Sequence, residues 1–345
     1  MPIRFIAVKR AAVPLVLLGV ALVILWQAGL TLLAPPSQAT FSPLALHPEP
    51  SAEPISPIPQ ALPLDERKIA LGRRLFHDLR LSRDNSVACA SCHDLGKGGV
   101  DGLQQSVGIG GQRGDMNAPT VFNSGFNFRQ FWNGRAATLE DQVDGPVHNA
   151  KEMGSSWPEV IAKLARDAEY PAQFRAVYGT GIESSHIKNA IAEFERSLIT
   201  PDSRFDKHLR GERDALTRDE VRGYQLFKRY GCIACHQGVN VGGNLYERLG
   251  VMQPYFIGES DTVAANLGRM AASGNPEDIH MFKVPSLRNV ALTAPYFHDG
   301  SVATLERAVF IMGQYQLGVA IPPGDVALII KFLNTLTGEY AGAAP

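Results

Sequence analysis

The chain has 345 residues, 45% of them hydrophobic, with 33 basic against 34 acidic side chains and a formal net charge of −1. That length holds about two domains at ~150 residues each, and the apolar content excludes a disordered or fibrous chain. The balanced charge offers no basic stripe to follow a phosphate backbone, and the densest basic cluster, Arg4, Lys9 and Arg10, sits at the N-terminus, so nucleic acid is excluded as a partner.

Residues 11–34 form an uncharged run directly behind that cluster. A helix of ~20 apolar residues crosses a bilayer, so 1–39 reads as a signal peptide or a membrane anchor. Ser37-Gln38-Ala39 resembles a cleavage site, whereas the run is longer than an ordinary signal core, and a retained N-terminal helix is the favoured alternative. Nine prolines between positions 35 and 63 make that stretch a semi-rigid spacer with a reach of up to ~90 Å, of which 40–63 is the linker, and start the globular part near Leu64. Beyond it, apolar residues recur at three- and four-residue steps over 64–77, 158–165, 185–199, 217–230, 304–311 and 324–336. No alternating strands stand out, so an all-α fold is expected. The glycine-rich stretches 96–114 and 238–250 are too long for simple connectors and are expected to line a site.

One unit occurs twice. Gly72-Arg73-Arg74-Leu75-Phe76 and Gly223-Tyr224-Gln225-Leu226-Phe227 each end a helical segment, and each is followed by Cys-x-x-Cys-His, at Cys89, Cys92 and His93 and again at Cys232, Cys235 and His236. Two thiols one turn apart can form thioethers to the two vinyl groups of a haem, and the adjacent histidine can reach the iron. The pattern uses every cysteine, so the chain reads as two cytochrome c-like domains, each with one covalently bound c-type haem. A zinc site would need four ligands converging, and a redox dithiol has no need of the following histidine. For the sixth ligand of the second haem, Met252, Met270, His280, Met281, His298 and Met312 are all candidates by spacing.

From Leu64 to about Tyr340 the chain resembles the bacterial dihaem cytochrome c peroxidases and the related enzyme that matures a tryptophan-derived quinone. The resemblance rests on Asn117-Ala118-Pro119-Thr120, Gln130-Phe131-Trp132-Asn133-Gly134-Arg135, Gln142 with Pro146 and Glu152-Met153, Phe282-Lys283-Val284-Pro285, Pro295-Tyr296-Phe297-His298-Asp299-Gly300, and Ile311-Met312-Gly313. It implies a peroxidatic haem domain over 64–200 and an electron-transfer haem domain over 201–345, whose tail packs back on the first. It further implies Met312 as distal thioether of the second haem, where the quinone-forming relative has tyrosine. Glu152 would be the acid/base of the peroxide pocket, lined by Phe131, Gln142 and Pro146, with Trp132 between the haems. Asn117, Thr293 and Pro295 match positions that supply oxygen ligands to a calcium ion. The substrate would be hydrogen peroxide and the electron donor a small cytochrome c or copper protein. The location would be the periplasm, with tethering to the inner membrane and homodimer formation left open. Two alternatives stand beside this reading: an oxidase of the cofactor-maturing type and a membrane-tethered electron carrier.

The sequence also departs from the family. Activation-dependent peroxidases carry a histidine between two glycines in the loop after the first haem, whereas this chain reads Gly108-Ile109-Gly110. Asn133 stands where aspartate is usual, which puts a charge-assisted contact in question.

Overall fold

Asp65 accepts the amide of Arg67 and starts a helix whose glycine, Gly72, meets a second helix 118 positions later; the same device recurs at Gly223. The computed structural model describes residues 53–258 and 263–340. The hydrophobic run expected as a signal or anchor lies outside the described residues, and among those described no helix is long and apolar enough to cross a membrane.

The principal helices are α1 (Glu66–Phe76), α2 (Leu139–His148), α3 (Trp157–Leu164), α4 (Tyr170–Tyr178), α5 (Ser184–Ser197), α6 (Arg204–Leu209), α7 (Arg218–Arg229), α8 (Leu305–Ile311) and α9 (Pro323–Asn334). Their starts follow from local chemistry. Thr138 and Thr304 cap α2 and α8 through the amides of Asp141 and Arg307, and Thr217 with Glu220 closes a capping box on α7.

In the first half α1 packs on α5, and in the second α7 packs on α9. A methyl group on Gly72 would meet the Ala190 carbonyl, and one on Gly223 the Leu328 carbonyl, so both crossings need glycine for close approach. Beside each crossing two phenylalanines meet, Phe76 with Phe194 edge to face at 5.3 Å between ring centroids and Phe227 with Phe332 tilted at 5.2 Å. Three apolar clusters follow among the described residues. One holds Leu75, Val143, Val160 and Phe174; another holds Phe205, Tyr224, Ile329 and Phe332; a smaller one holds Phe76, Phe122, Phe194 and Leu198.

The fold is mostly helical, with one exception to the all-α expectation. Strands β1 (Tyr246–Arg248) and β2 (Met281–Lys283) pair antiparallel, Glu247 opposite Phe282. At three residues each they are too short to produce a readable alternation.

The spacer expected over 40–63 needs a second correction. Its described part is packed rather than extended: Ile55 and Ile58 are buried, Ile55 within the core of the second half. The Ile58 amide donates to Asp206, and the Ser56 carbonyl accepts from Arg288, which is wholly buried and paired with Asp206 at 2.9 Å. Its two isoleucines and its backbone groups answer buried partners. The globular part therefore includes the strap, and Glu53 onward forms one compact unit. At the other end Tyr340 stacks near Phe122, 5.4 Å between ring centroids, so the tail returns to the first half.

Candidate functional site

Both Cys-x-x-Cys-His segments sit just beyond their glycine-bearing helix, in one-turn helical segments at Cys89–Cys92 and Cys232–Ala234. His93 Nδ1 lies 3.3 Å from the Gly99 carbonyl, and His236 Nδ1 lies 3.3 Å from the Val241 carbonyl. A carbonyl only accepts, so Nδ1 carries the hydrogen in each ring and Nε2 is left with its lone pair. Burial lowers both histidines, His236 to about 4, and both are neutral at pH 7. Burial also raises the thiols, Cys232 to about 11, and all four cysteines are unpaired. This donor set fits covalently held haem: two thiols free for thioether formation beside one neutral imidazole with an oriented Nε2. Among the described residues, no group of three or more His, Cys, Asp or Glu side chains is arranged to hold a metal, which leaves the zinc reading without ligands.

A largely apolar cleft opens over the second motif, bounded by Cys232, Cys235, His236, Pro285, Phe297 and Met312. Met312 stands where α8 gives way to a π-helical turn, Met312–Gln316, an irregularity common at functional sites. Of the other sixth-ligand candidates, Met252 is 60% exposed, and His298, though it borders the cleft, has Nε2 engaged 2.7 Å from Asn266 Oδ1.

The two halves share a second layer of duplication. Positions 117–148 and 283–314 match at a constant offset of 166: Pro119 with Pro285, Asn123 with Asn289, Phe131 with Phe297, Thr138 with Thr304. The backbone agrees. Asn123 and Asn289 both have φ of 60°, and Phe131 and Phe297 have φ of 68° and 69°, a left-handed conformation uncommon for a bulky residue. An isolated bridge joins Gln130 to Ala136, as another joins Tyr296 to Val302. In this register Met312 corresponds to Pro146. One half offers a thioether where the other offers a ring with no donor.

Around Pro146 the expected pocket residues come together. A methyl group on Gly145 would meet the tip of Phe131, and the Arg135 guanidinium lies 3.3 Å from the centroid of that ring. Gln142 lies one turn before Pro146 on α2 and so shares its face. Glu152 accepts from Asn149 Nδ2 at 2.6 Å, and burial raises its carboxyl above the usual range, opposed by Asn149 and by Arg135. The Ile109 amide donates to the Glu152 carbonyl at 2.9 Å, and Ile109 is buried, so the departing loop is fastened to the carboxylate-bearing segment. Asn133 Oδ1 accepts from the Arg135 amide and guanidinium at 3.3 and 3.4 Å, so the expected contact persists with a neutral acceptor. His148 stacks edge-on against Trp157, and His77 Nδ1 meets the Arg73 carbonyl at 2.9 Å; neither belongs to the Phe131–Glu152 group.

Trp132 borders the second cleft, where its indole donates to the Asn117 carbonyl at 2.9 Å and its ring meets His298 edge-on. Asn117, Thr293 and Pro295 border this same cleft; the Asn117 amide nitrogen is spent on the Leu103 carbonyl at 2.8 Å. Sequence reasoning missed the parts of Arg135 and Asn149. The i, i+3 spacing of Asn149 and Glu152 was the available signal for one of them.

Comparison with known proteins matches this arrangement. Residues 66–214 match the family model for di-haem cytochrome c peroxidase. The chain is 53% identical to the cytochrome c peroxidase Ccp of Escherichia coli over 85% of its own length and 63% of that protein's, so it spans less than two thirds of that relative. It is 46% identical to the cytochrome c551 peroxidase of Nitrosomonas europaea, covering 83% of this chain and 85% of that one, and 41% identical to that of Pseudomonas aeruginosa, covering 86% and 87%. Among solved structures, a MauG-like protein associated with microbial copper homeostasis superposes with a TM-score of 0.71 at 32% identity, over 84% of this chain and 95% of that one.

Proposed function

The chain belongs to the di-haem cytochrome c peroxidase family, and on that premise we propose that it reduces hydrogen peroxide to water at one c-type haem with electrons relayed through a second. The peroxidatic half is 64–200, with Cys89, Cys92 and His93; the electron-transfer half is 201–345, with Cys232, Cys235 and His236. The observation that carries this division of labour is the Pro146/Met312 correspondence. A thioether donor suits a six-coordinate iron that only passes electrons, whereas proline leaves the equivalent face open for substrate. Tyrosine at 312 would favour the cofactor-maturing oxidase, and a second ligand at 109 or 146 the plain electron carrier; the chain has neither.

When bound, haem supplies the electrons that cleave the O–O bond. The residues of the chain handle protons and shape. Glu152, held by Asn149 and facing Arg135, takes a proton from one peroxide oxygen and delivers it to the other, so that one peroxide, two electrons and two protons yield two waters. Gln142, Phe131 and Pro146 orient the substrate and limit water. Trp132 lies on the path from the second cleft toward the first half, and Asn117, Thr293 and Pro295 hold a calcium ion through oxygen. The electron donor is a small cytochrome c or copper protein, and the compartment is the periplasm, where c-type haem is attached.

The test is the denatured mass together with Glu152→Gln. The mass should exceed the polypeptide by two haems, and the variant should keep both while losing ~10²- to 10⁴-fold in kcat. A single retained haem, or turnover within a few-fold of wild type, refutes the proposal.

A further inference from the structure

Among the described residues only four buried side-chain polar atoms lack a hydrogen-bond partner, and two of them, Ser124 Oγ and Glu195 Oε2, occupy one wall of the first half. The helix crossings fix the correspondence of α5 with α9: Gly72 meets Ala190 and Phe194 as Gly223 meets Leu328 and Phe332. In that register Glu195 corresponds to Leu333, and at the offset of 166 Ser124 corresponds to Val290. Leu333 and Val290 both line the second cleft. The two positions that are apolar beside one haem site are therefore polar and unsatisfied beside the other. Glu195 is 6% exposed and Ser124 likewise 6%, and the carboxyl acts electrostatically on the Cys89 sulfur. A buried carboxyl oxygen without a partner costs stability, and such a cost points to a use.

We propose that Glu195 is the redox-linked proton site of the N-terminal haem: as that haem gains one electron, the carboxylate gains one proton from solvent. The balance is one electron, from the donor protein or an electrode, and one proton, with ferric iron becoming ferrous and carboxylate becoming carboxylic acid. The inference rests on the two-haem reading above. Its physical basis is charge. An added electron in a low-dielectric site disfavours a neighbouring anion, and protonation relieves the repulsion. Burial pushes Glu195 up to about 8 where no net haem charge acts on it. The positive charge of a ferric haem lowers it, and the added electron removes that charge, so the carboxyl passes from anion to acid across neutral pH. The charged groups facing it are Arg196 on its own helix, which favours the anion, and Glu140 from α2, which disfavours it; Cys89 becomes an uncharged thioether, and Asp101 faces His93 and Cys92 instead. The second haem, walled by Leu333 and Val290, has no such group at these positions.

The test is spectroelectrochemical titration of the holoprotein across neutral pH, following each haem separately. For a coupled one-electron site each tenfold change in proton activity shifts the potential by about 59 mV. The N-terminal haem of the wild type should approach that slope, and Glu195→Gln should flatten it and raise the potential while the C-terminal haem stays unchanged. Glu212→Gln, which removes an exposed carboxylate of the second half, is the control and should keep the slope. A flat wild-type titration, or a slope that survives Glu195→Gln, overturns the inference. Should that variant lose haem, Glu195→Leu, which copies the second half, and redox-difference infrared spectra of the wild type serve instead. A carboxylic-acid carbonyl band must appear on reduction, and its absence is equally fatal. A mass short of two haems refutes the two-haem reading itself, whereas two haems with a persistent slope refute only the role of Glu195.

Discussion

Gly223→Ala measures how tightly the second haem domain depends on its helix crossing. The new methyl would meet the Leu328 carbonyl, with the carbonyl carbon at 2.8 Å and the Phe332 Cβ at 3.0 Å. Carbon contacts relax near 3.5–4.0 Å, so α7 and α9 must part by about 1 Å, and such a gap forfeits a quarter to a half of each dispersion contact across it. Overpacking of this kind costs ~1–3 kcal/mol, and loosening the Phe227–Phe332 pair adds ~0.5–1.5 kcal/mol. Against this, alanine is a better helix former than glycine by ~1 kcal/mol, which leaves a net loss of about 2 kcal/mol. Urea unfolding of the holoprotein, followed at the second haem, reads the loss. Gly324→Ala is the control, because nothing lies within 4 Å of its added methyl, and it should change stability by no more than ~0.5 kcal/mol or raise it. Gly72→Ala should repeat the loss at the first haem. If Gly223→Ala matches the Gly324→Ala control, the crossing is not tight and the account of both domains is wrong.

Met312→His should lower the potential of the C-terminal haem and slow electron entry, since imidazole favours ferric iron more than thioether does; an unchanged spectrum would return Met312 to a packing role. With Ile109 in place of a blocking histidine, the oxidised protein should react at once with peroxide in stopped flow, and silence until one electron is added would show that another residue gates the site. The raised carboxyl of Glu152 must be ionised to accept a proton, so kcat/KM should rise with pH through an acid limb lying above the ordinary carboxylate range; a limb at or below that range argues for a different base. Asp206→Asn removes the charge that compensates fully buried Arg288 and should destabilise the second half by ~3–5 kcal/mol in urea, with a loss under 1 kcal/mol refuting the pairing.

The haem-bearing motifs were legible because covalent attachment fixes residue type and spacing, whatever the tertiary context. The long helices were legible for another reason: α1, α5, α7 and α9 each bury one face, and their apolar residues keep the period. Helix α2 escaped notice because Gly145-Pro146 looks like a break, although its cap at Thr138 is duplicated at Thr304. Helix α4 has Pro171 in its first turn and only Tyr170 and Phe174 buried, too few to set a pattern. Glu195 belongs to no motif and carries no signal of its own within the helical period of α5. Only its correspondence with Leu333, a relation between distant segments, shows that the position faces inward.

The strap at Glu53–Leu64 has a consequence for biogenesis. Ser56 emerges from the ribosome long before Arg288, its partner 232 positions later, so the second core cannot close until almost the whole chain has been delivered. Contacts of such separation are formed slowly, because the intervening loop must first be ordered. During that interval Cys232, Cys235 and His236 remain reachable in an open chain, which is the state in which a thiol can be presented to a haem vinyl group. Late closure of the strap thus gives haem attachment time to precede burial, and a chain shortened to begin at Leu64 would leave Ile55, Ser56 and Ile58 missing from a core that is otherwise complete.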